Sequence, residues 1–279
     1  MVVVVVVLHL HLTSSFTSTS TSTLSHANMT SKEKWRLRVV HRRLSSITND
    51  TLGATPVDIL GTGILSGLPL GVTQYLIQIG VGTPPKTQYL IFDSGSDLTW
   101  IQCNPCKCYP QPDPIFNPAG SASFATVACG SAVCDGLRKP GCHQGQCQYN
   151  LTYGDMSNSM GTLVRETLTL ELANISNIIM GCAHENSGSF VGTDGLLGIG
   201  KGPMSLLSQL QLRGLAGSIF SYCLPHRAST AAGSSGWLEF GHGLVGELPQ
   251  GPAWVPLVHN RRQPTATAGT HSGKHFSVD

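Results

Sequence analysis

The stretch Tyr89-Leu-Ile-Phe-Asp93-Ser-Gly-Ser-Asp-Leu-Thr-Trp100 decides the fold. An apolar, β-favouring run leads into Asp-Ser-Gly-Ser and a second run leaves it, which predicts two strands joined by a tight turn. Gly95 can adopt a positive φ in such a turn, and the hydroxyls of Ser94 and Ser96 can hydrogen-bond the loop and the carboxylate of Asp93. The turn has two interpretations, an ordinary hairpin or a loop that presents a catalytic aspartate. The rest of the chain must decide.

The composition favours an all-β fold. Among the 279 residues are 32 glycines, and only 11% of the residues are charged. The net charge of +2 argues against nucleic acid as a partner, because the early basic cluster at 32–43 is followed by no basic patch with interleaved aromatic residues. Alternating apolar residues predict strands, and leucine spacing predicts one helix at 205–212. The predicted strands cover 75–79, 86–92, 124–127, 148–153, 161–170, 175–182, 194–200, 219–224, 236–240 and an extended piece at 249–258.

Four regions follow from these patterns. Residues 1–27 are predicted to be a secretory signal peptide, since the apolar run is too short to span a membrane and is followed by small residues at 25–27; a low-complexity start is the alternative. Residues 28–70 are predicted to hold a basic amphipathic helix, either a pro-segment or a solvated surface helix, and then a linker at 51–71. Residues 71–260 form the β-rich region, and 261–279 are predicted to be a disordered tail.

Nine cysteines imply either disulfides in a secreted protein or a metal site in a cytosolic one. Most of them lie in an insert at 101–147, which is too poor in apolar residues to bury a core of its own. The zinc alternative would use Cys103, Cys106, Cys108 and His143, but two well-spaced Cys-x2-Cys pairs are absent. Export is also favoured by N-glycosylation sequons, of which Asn150 and Asn174 lie in the β-rich region.

Several motifs occur in an order that resembles the pepsin-like aspartic proteases, and the cysteine insert resembles their plant nepenthesin-type branch. They are Gly82-Thr-Pro-Pro85, Phe92-Asp-Ser-Gly-Ser-Asp-Leu-Thr-Trp100, Tyr153-Gly-Asp155, Asp194-Gly-Leu-Leu-Gly-Ile-Gly200 and Phe220-Ser-Tyr-Cys223. The resemblance implies a fold, a single N-terminal lobe of a bilobal protease with a disulfide-rich insert. It implies no metal and no cofactor.

The resemblance also implies roles for individual residues. Asp93 would be the first catalytic aspartate, supported by Ser94, Gly95 and a hydrogen bond from Ser96. Tyr153, Gly154 and Asp155 would form the flap that closes over a bound polypeptide, with Trp100 supporting the tyrosine. Residues 196–198 would thread beside the Asp93 loop. Met156 stands where the family usually has glycine, which would change the geometry of the flap turn.

The disulfides implied by the resemblance are Cys103–Cys106, Cys108–Cys182, Cys129–Cys147 and Cys134–Cys142. Cys223 is left over, because its partner in the family lies in the second lobe. The spacing of Cys106 and Cys108 is one residue shorter than in the family.

A second catalytic aspartate is missing, because Asp-Ser-Gly occurs only at Asp93 and Asp-Thr-Gly does not occur. The chain is therefore expected to be half of a bilobal protein. Three hypotheses follow. The first is a secreted or vacuolar acid endopeptidase, made as a zymogen, that cleaves between bulky apolar residues and pairs with a second lobe or a second copy. The second is a non-catalytic binding protein similar to plant xylanase inhibitors, and the third is an inactive fragment.

Overall fold

The structure is a computed structural model that describes residues 5–7, 60–171, 173–217, 219–225, 236–241, 258–259 and 276–277. Within these residues the helices are α1 at Ala132–Asp135 and α2 at Leu206–Leu212, and 3-10 turns lie at Leu68–Leu70 and Pro118–Gly120. The strands are β1 Val5–Val7, β2 Leu60–Ser66, β3 Tyr75–Val81, β4 Lys86–Asp93, β5 Trp100–Lys107, β6 Ala125–Thr126, β7 Gly141–His143, β8 Gln146–Thr152, β9 Asn158–Leu170, β10 Ala173–Ser187, β11 Gly195–Gly198, β12 Phe220–Cys223, β13 Gly236–Phe240, β14 Val258–His259 and β15 Phe276–Ser277.

Thirteen strands form one sheet in which six close into a ring. The ring runs β3-β4-β11-β5-β10-β9, and β9 returns to β3 through the pairs Gly80↔Thr169 and Val81↔Leu168. β8 and β7 continue from β9, β6 pairs with β9 as well, and β2, β13, β12 and β1 extend the sheet on the other side of β3. β14 and β15 pair separately. The all-β fold predicted from composition is confirmed.

The core lies on both faces of the ring because neighbouring residues of each strand point in opposite directions. Ile77, Leu90 and Leu197 belong to one buried cluster, together with three leucines of α2, Leu206, Leu207 and Leu210. Their neighbours in the chain, Leu76, Ile91 and Leu196 among them, belong to a second cluster that contains the aromatic residues around Trp100. β11 is therefore buried on both sides, which explains its unbroken run of apolar residues and glycines.

The predicted linker is wrong over its second half. Leu60–Ser66 is a strand that pairs antiparallel with both β13 and β3, and Leu60, Thr62 and Ile64 are buried in it. The many glycines of this segment hid the alternation, since Gly61 and Gly63 occupy positions between the inward-facing side chains. The predicted pro-segment helix lies outside the described residues. So do the signal peptide except β1, the tail except β15, and the extended piece at 249–258 except Val258.

All four predicted disulfides are wrong in their pairing. The structure joins Cys103–Cys182, Cys106–Cys108, Cys129–Cys142 and Cys134–Cys147 in place of Cys103–Cys106, Cys108–Cys182, Cys129–Cys147 and Cys134–Cys142. Cys223, buried in β12, belongs to none of these four pairs.

The reason for the first correction is strand pairing. β10 runs parallel to β5, so Cys182 and the buried Cys103 come to lie with their Cα atoms 5.3 Å apart. In the insert, Cys142 and Cys147 are directly opposite in the β7–β8 hairpin, and each takes a partner from the segment before it. The buried Cys147 forms its disulfide with Cys134 of α1, a helix that the sequence pattern did not predict. Spacing alone does not distinguish crossed pairs from nested ones.

Candidate active site

Asp93 ends β4 and presents its carboxylate on a tight turn. Its Oδ1 accepts a hydrogen bond of 2.8 Å from the backbone N–H of Gly95, and its Oδ2 accepts a short one from the hydroxyl of Ser96. The predicted contact between Ser96 and Asp93 is therefore present. Ser94 and Gly95 are exposed and Asp93 is half-buried, so the carboxylate is fixed in place and remains open to a ligand.

Backbone pairing with β11 and with the residues that follow it fixes the Asp93 turn in place. Gly198 pairs with Asp93 in parallel register, so the prediction that 196–198 thread beside the loop is confirmed. The N–H of Ile199 donates to the carbonyl of Asp93 at 3.0 Å, and the N–H of Gly200 donates to the carbonyl of Ser96 at 2.8 Å. Two backbone hydrogen bonds thus fix both ends of the turn.

Side chains of the same segment strengthen this support. The carboxylate of Asp97 accepts a hydrogen bond of 2.7 Å from the N–H of Gly202, and Thr99 Oγ1 accepts one of 3.2 Å from Gly198. The sequence did not predict these two residues as site residues, although both lie inside the stretch that decides the fold. Asp97 and Thr99 orient the segment under the turn, and they give Asp93 a rigid base.

The β8–β9 hairpin forms a flap over this turn. Tyr153, the first residue of the turn that joins the two strands, accepts a 2.7 Å hydrogen bond from the indole Nε1–H of Trp100. Burial and, less strongly, the nearby carboxylate of Asp93 raise the pKa of Tyr153, while the indole hydrogen bond lowers it. The phenol is therefore a neutral group that faces the Asp93 turn, and Trp100 supports it as predicted.

The flap turn itself is built from Gly154, Asp155 and Met156. Asp155 directs its carboxylate back onto Ser157, and the backbone N–H of Ser157 is the main cause that lowers the pKa of Asp155. Gly154 is exposed, and Met156 is 78% exposed with φ of +69°. Asp155 thus acts within the flap here, while its predicted role in substrate binding stays a prediction.

Phe190 is a site residue that the sequence did not indicate. Its ring lies edge-on to Trp100 and to Tyr153, with centroid separations of 4.9 and 5.2 Å, and it is 4% exposed. It belongs to the loop between β10 and β11, where glycines and serines predict only a turn. A single aromatic residue in such a loop carries no periodic signal, so its packing could not be read from the sequence.

Asp194 is a buried carboxyl group whose position does not suit a second catalytic aspartate. It lies next to Gly195, which pairs with Leu90, at the opposite end of β11 from the Gly198 and Asp93 pair. Its Oδ2 accepts a 2.6 Å hydrogen bond from the N–H of Tyr89, and its Oδ1 is buried with no hydrogen-bond partner. Burial raises the pKa of Asp194 to about 7, with a further contribution from Asp113.

The remaining predicted sites are on the surface or in disulfides. Asn150 on β8 and Asn174 on β10 are both exposed, and their glycosylation stays a prediction. Three of the zinc alternative's four residues are cysteines in disulfides. Among the described residues no helix is long and apolar enough to cross a membrane.

A closed ring of strands that holds an Asp-Ser-Gly turn under a tyrosine flap defines a pepsin-like lobe. A family model described as "Xylanase inhibitor N-terminal" matches residues 75–242. The chain is 46% identical over 242 residues to the Arabidopsis thaliana protein ASPARTIC PROTEASE IN GUARD CELL 2, covering 86% of this chain and 50% of that protein. It is 39% identical over 206 residues to aspartic proteinase nepenthesin-2 of Nepenthes gracilis, covering 73% and 45%.

Basic 7S globulin from soybean, a solved structure, shares the fold with a TM-score of 0.55 at 20% identity, over 72% of this chain and 54% of that one. The chain spans about half the length of the curated relatives it matches. It belongs to the xylanase inhibitor N-terminal family, and with it to the pepsin-like aspartic proteases of plants, of which it represents the N-terminal lobe.

Proposed function

We propose that this chain supplies Asp93 as one half of the catalytic dyad of an aspartic endopeptidase that works in acid. The observation that carries the proposal is the Asp93 carboxylate, which receives one hydrogen bond on each oxygen and lies beside the phenol of Tyr153. A rigid, accessible carboxylate under a closing flap suits a group that must hold a water against a bound peptide.

The chemistry requires a second carboxylate beside the first. Two like charges at short distance cannot both ionise, so in acid the pair shares one proton. The ionised member takes a proton from the bound water, whose oxygen forms a bond to the scissile carbonyl carbon, and the protonated member donates its proton to the carbonyl oxygen. The intermediate then breaks its C–N bond as the amine nitrogen is protonated. Asp93 alone cannot perform both transfers.

The second carboxylate comes from a second lobe or from a second copy of this chain. The relatives named aspartic proteases are about twice the length of the matched region, which favours a lobe of the same fold. A second copy would place two Asp93 side chains across a twofold axis. We further propose that the bound peptide lies between the flap residues 153–155 and the Asp93 turn, with bulky apolar side chains on either side of the scissile bond.

The test is hydrolysis of a denatured protein by the full chain at pH 3 to 5, with and without pepstatin. Cleavage that pepstatin blocks and that Asp93→Asn abolishes would support the proposal. If two copies form the site, the specific activity rises with protein concentration. Absence of pepstatin-sensitive cleavage at every concentration would contradict the proposal for this chain, because it would show that two copies of it do not form the dyad.

A non-catalytic binding protein is the second candidate, because the matching family model carries the description of a xylanase inhibitor domain. An inhibitor has no need of both Asp93 and Tyr153, which is why we favour the protease. A pull-down of cell-wall glycosidases by the full chain, repeated with Asp93→Asn, separates the two. Binding that the substitution leaves unchanged, together with no proteolysis, would favour the inhibitor.

Disulfides favour an oxidising compartment, so we propose that the protein is a secreted zymogen of the apoplast or the vacuole, with glycans on Asn150 and Asn174. Expression in plant cells with a carboxyl-terminal tag tests this. The protein is expected in the apoplastic wash or in isolated vacuoles, with a mass that falls when Asn150→Gln and Asn174→Gln are introduced.

A further inference from the structure

The flap turn contacts a second loop, residues 188–190, which directly follows β10. We call this segment the clamp loop. β10 pairs with the flap strand β9 up to the last pair, Ser187↔Asn158. Beyond that pair the two segments remain joined by side chains, so the contact between the flap and the clamp loop extends past the end of the sheet.

Ser157 is the centre of this contact. Its hydroxyl accepts a 2.9 Å hydrogen bond from the N–H of Ser189 and donates one of 2.8 Å to Oδ2 of Asp155. Its own N–H donates to Oδ1 of Asp155 at 3.0 Å. Ser157 is 1% exposed. A buried hydroxyl that uses both its donor and its acceptor leaves a polar group unsatisfied whenever the two segments separate.

Gly188 makes the close approach possible. Its φ is +107°, and a Cβ placed there would overlap the Oγ, Cα and Cβ of Ser157. The backbone of the clamp loop therefore lies directly on the side chain of Ser157, and a residue with a side chain would push the two apart.

Phe190 adds an apolar contact from the same loop. Its ring packs edge-on against Tyr153 and Trp100, the two residues joined by the indole hydrogen bond. The clamp loop thus contacts the flap turn at two points, Ser157 through Ser189 and Tyr153 through Phe190. Each contact favours the one flap position in which Tyr153 faces the Asp93 turn.

We propose that Ser157 and Gly188 are positioning residues which tie the flap to the clamp loop and thereby keep Tyr153 on Trp100. The consequence for substrate closure rests on the proposed function, but the coupling itself does not. In the tied state the flap turn opens rarely. Without the hydroxyl of Ser157 the flap opens locally, while the ring of strands stays closed.

The experiment is amide and indole hydrogen exchange of the full chain, comparing the parent with Ser157→Ala. The reporters are the N–H groups of Tyr153 and Met156, which bond within the flap turn, and the indole N–H of Trp100. Loss of about two hydrogen bonds is expected to speed exchange at all three by about tenfold, which corresponds to about 1.4 kcal/mol. Amides of β4 and β11 are expected to keep their rates.

The matched control is Ser159→Ala, which removes another buried hydroxyl two residues further along the chain, in β9. Ser159 hydrogen-bonds the hydroxyl of Tyr149 at 3.0 Å rather than a group of the clamp loop, so the three reporters are expected to keep their rates. Should Ser157→Ala fail to fold, Gly188→Ala gives the same test, because a Cβ there would push the clamp loop away from the hydroxyl of Ser157 that accepts from Ser189.

Two outcomes overturn the proposal. One is exchange at the three reporters within about twofold of the parent in Ser157→Ala. The other is a uniform rise across the whole lobe, which would mean a general loss of stability. The test needs no catalysis. A chain that shows the local effect but cleaves nothing would therefore contradict the proposed function and still support the coupling between the flap and the clamp loop.

Discussion

The indole of Trp100 donates a 2.7 Å hydrogen bond to the hydroxyl of Tyr153 and so joins the strand after the Asp93 turn to the first residue of the flap turn, 53 residues further along the chain. Trp100 is fully buried, so its N–H has no access to water when the phenol is removed. The bond therefore couples the geometry of the Asp93 turn to that of the flap.

This bond predicts a non-additive pair of substitutions. Tyr153→Phe leaves the indole N–H buried and unpaired, and we expect it to lower the free energy of unfolding by about 1–3 kcal/mol. Trp100→Phe removes the donor and leaves a cavity, with a cost of a similar or larger size. In the double variant neither unpaired group remains, so the combined cost is expected to be at least about 1 kcal/mol less than the sum.

Urea unfolding of the four proteins at one pH measures this coupling. The control cycle combines Tyr149→Phe with Trp100→Phe. Its two costs are expected to add, since the hydroxyl of Tyr149 bonds Ser159 and not the indole. Additive costs for Tyr153 and Trp100 would mean that the hydrogen bond contributes nothing to the folded state.

Met156 predicts a stabilising substitution. Its left-handed backbone conformation costs a residue with a side chain about 1 kcal/mol, and its side chain is 78% exposed and buries little. Met156→Gly removes this strain at a smaller entropic cost, so we expect a gain of up to about 1 kcal/mol and a higher Tm. Met156→Ala is the control, because it keeps the Cβ and should give no gain. A lower Tm for the glycine variant would contradict the strain argument.

The glycines of β11 predict the opposite effect. A Cβ on Gly195 would overlap the carbonyl oxygen of Trp100, and one on Gly198 would overlap the backbone of Asp97. Alanine at either position is therefore expected to destabilise the lobe by about 2–4 kcal/mol or to prevent folding. Gly120→Ala is the control, because a Cβ there has no heavy atom within 4 Å. If the β11 variants had urea midpoints close to that of the parent, the backbone around β11 would have room for a Cβ, which would contradict this prediction.

The sequence predicted those parts of the fold that depend on local patterns. Alternation predicted β3, β4 and β9 to within three residues at each end, and leucine spacing predicted α2, whose first turn is capped by Ser205. Prediction from the sequence failed for contacts between residues that lie far apart in the chain. The pairing of Cys103 depends on the parallel register of β5 and β10, and Phe190 reaches Trp100 only after β11 is threaded. Neither relation has a local signal.

The disulfide pairing itself is a prediction for the protein in solution. Non-reducing peptide mapping with fragmentation of the linked peptides is expected to recover Cys103–Cys182, Cys129–Cys142 and Cys134–Cys147. Substituting both Cys134 and Cys147 with alanine should cost about 2–5 kcal/mol, because this bridge is buried and fixes α1 to the β7–β8 hairpin. The control is the same double substitution at Cys129 and Cys142, which we expect to cost less because Cys142 is exposed. Linked peptides with Cys129 joined to Cys147 would favour the nested arrangement instead.

The buried carboxyl of Asp194 predicts that the lobe loses stability as the pH rises. The folded protein keeps this proton up to a pKa of about 7, whereas the unfolded chain releases it near the ordinary value for aspartate, about 4. Between these values the folded state binds more protons than the unfolded state, so the contribution is fully present below pH about 4 and is lost as the pH rises towards 7. The slope from this group is at most about 1.4 kcal/mol per pH unit.

Asp194→Asn tests this directly, because an amide oxygen can still accept from the N–H of Tyr89 while the group no longer titrates. The unfolding free energy of the variant minus that of the parent is expected to rise between pH 4 and 7 and then level off. Asp113→Asn is the matched comparison: it removes a negative charge that raises the pKa of Asp194 in the folded lobe, so the loss of stability should be complete at a lower pH. A difference that stays flat across this range would mean that Asp194 is ionised in the folded lobe. An acid-stable lobe is what a protease that works in acid requires, and Asp194, remote from Asp93, would provide that stability without taking part in the chemistry.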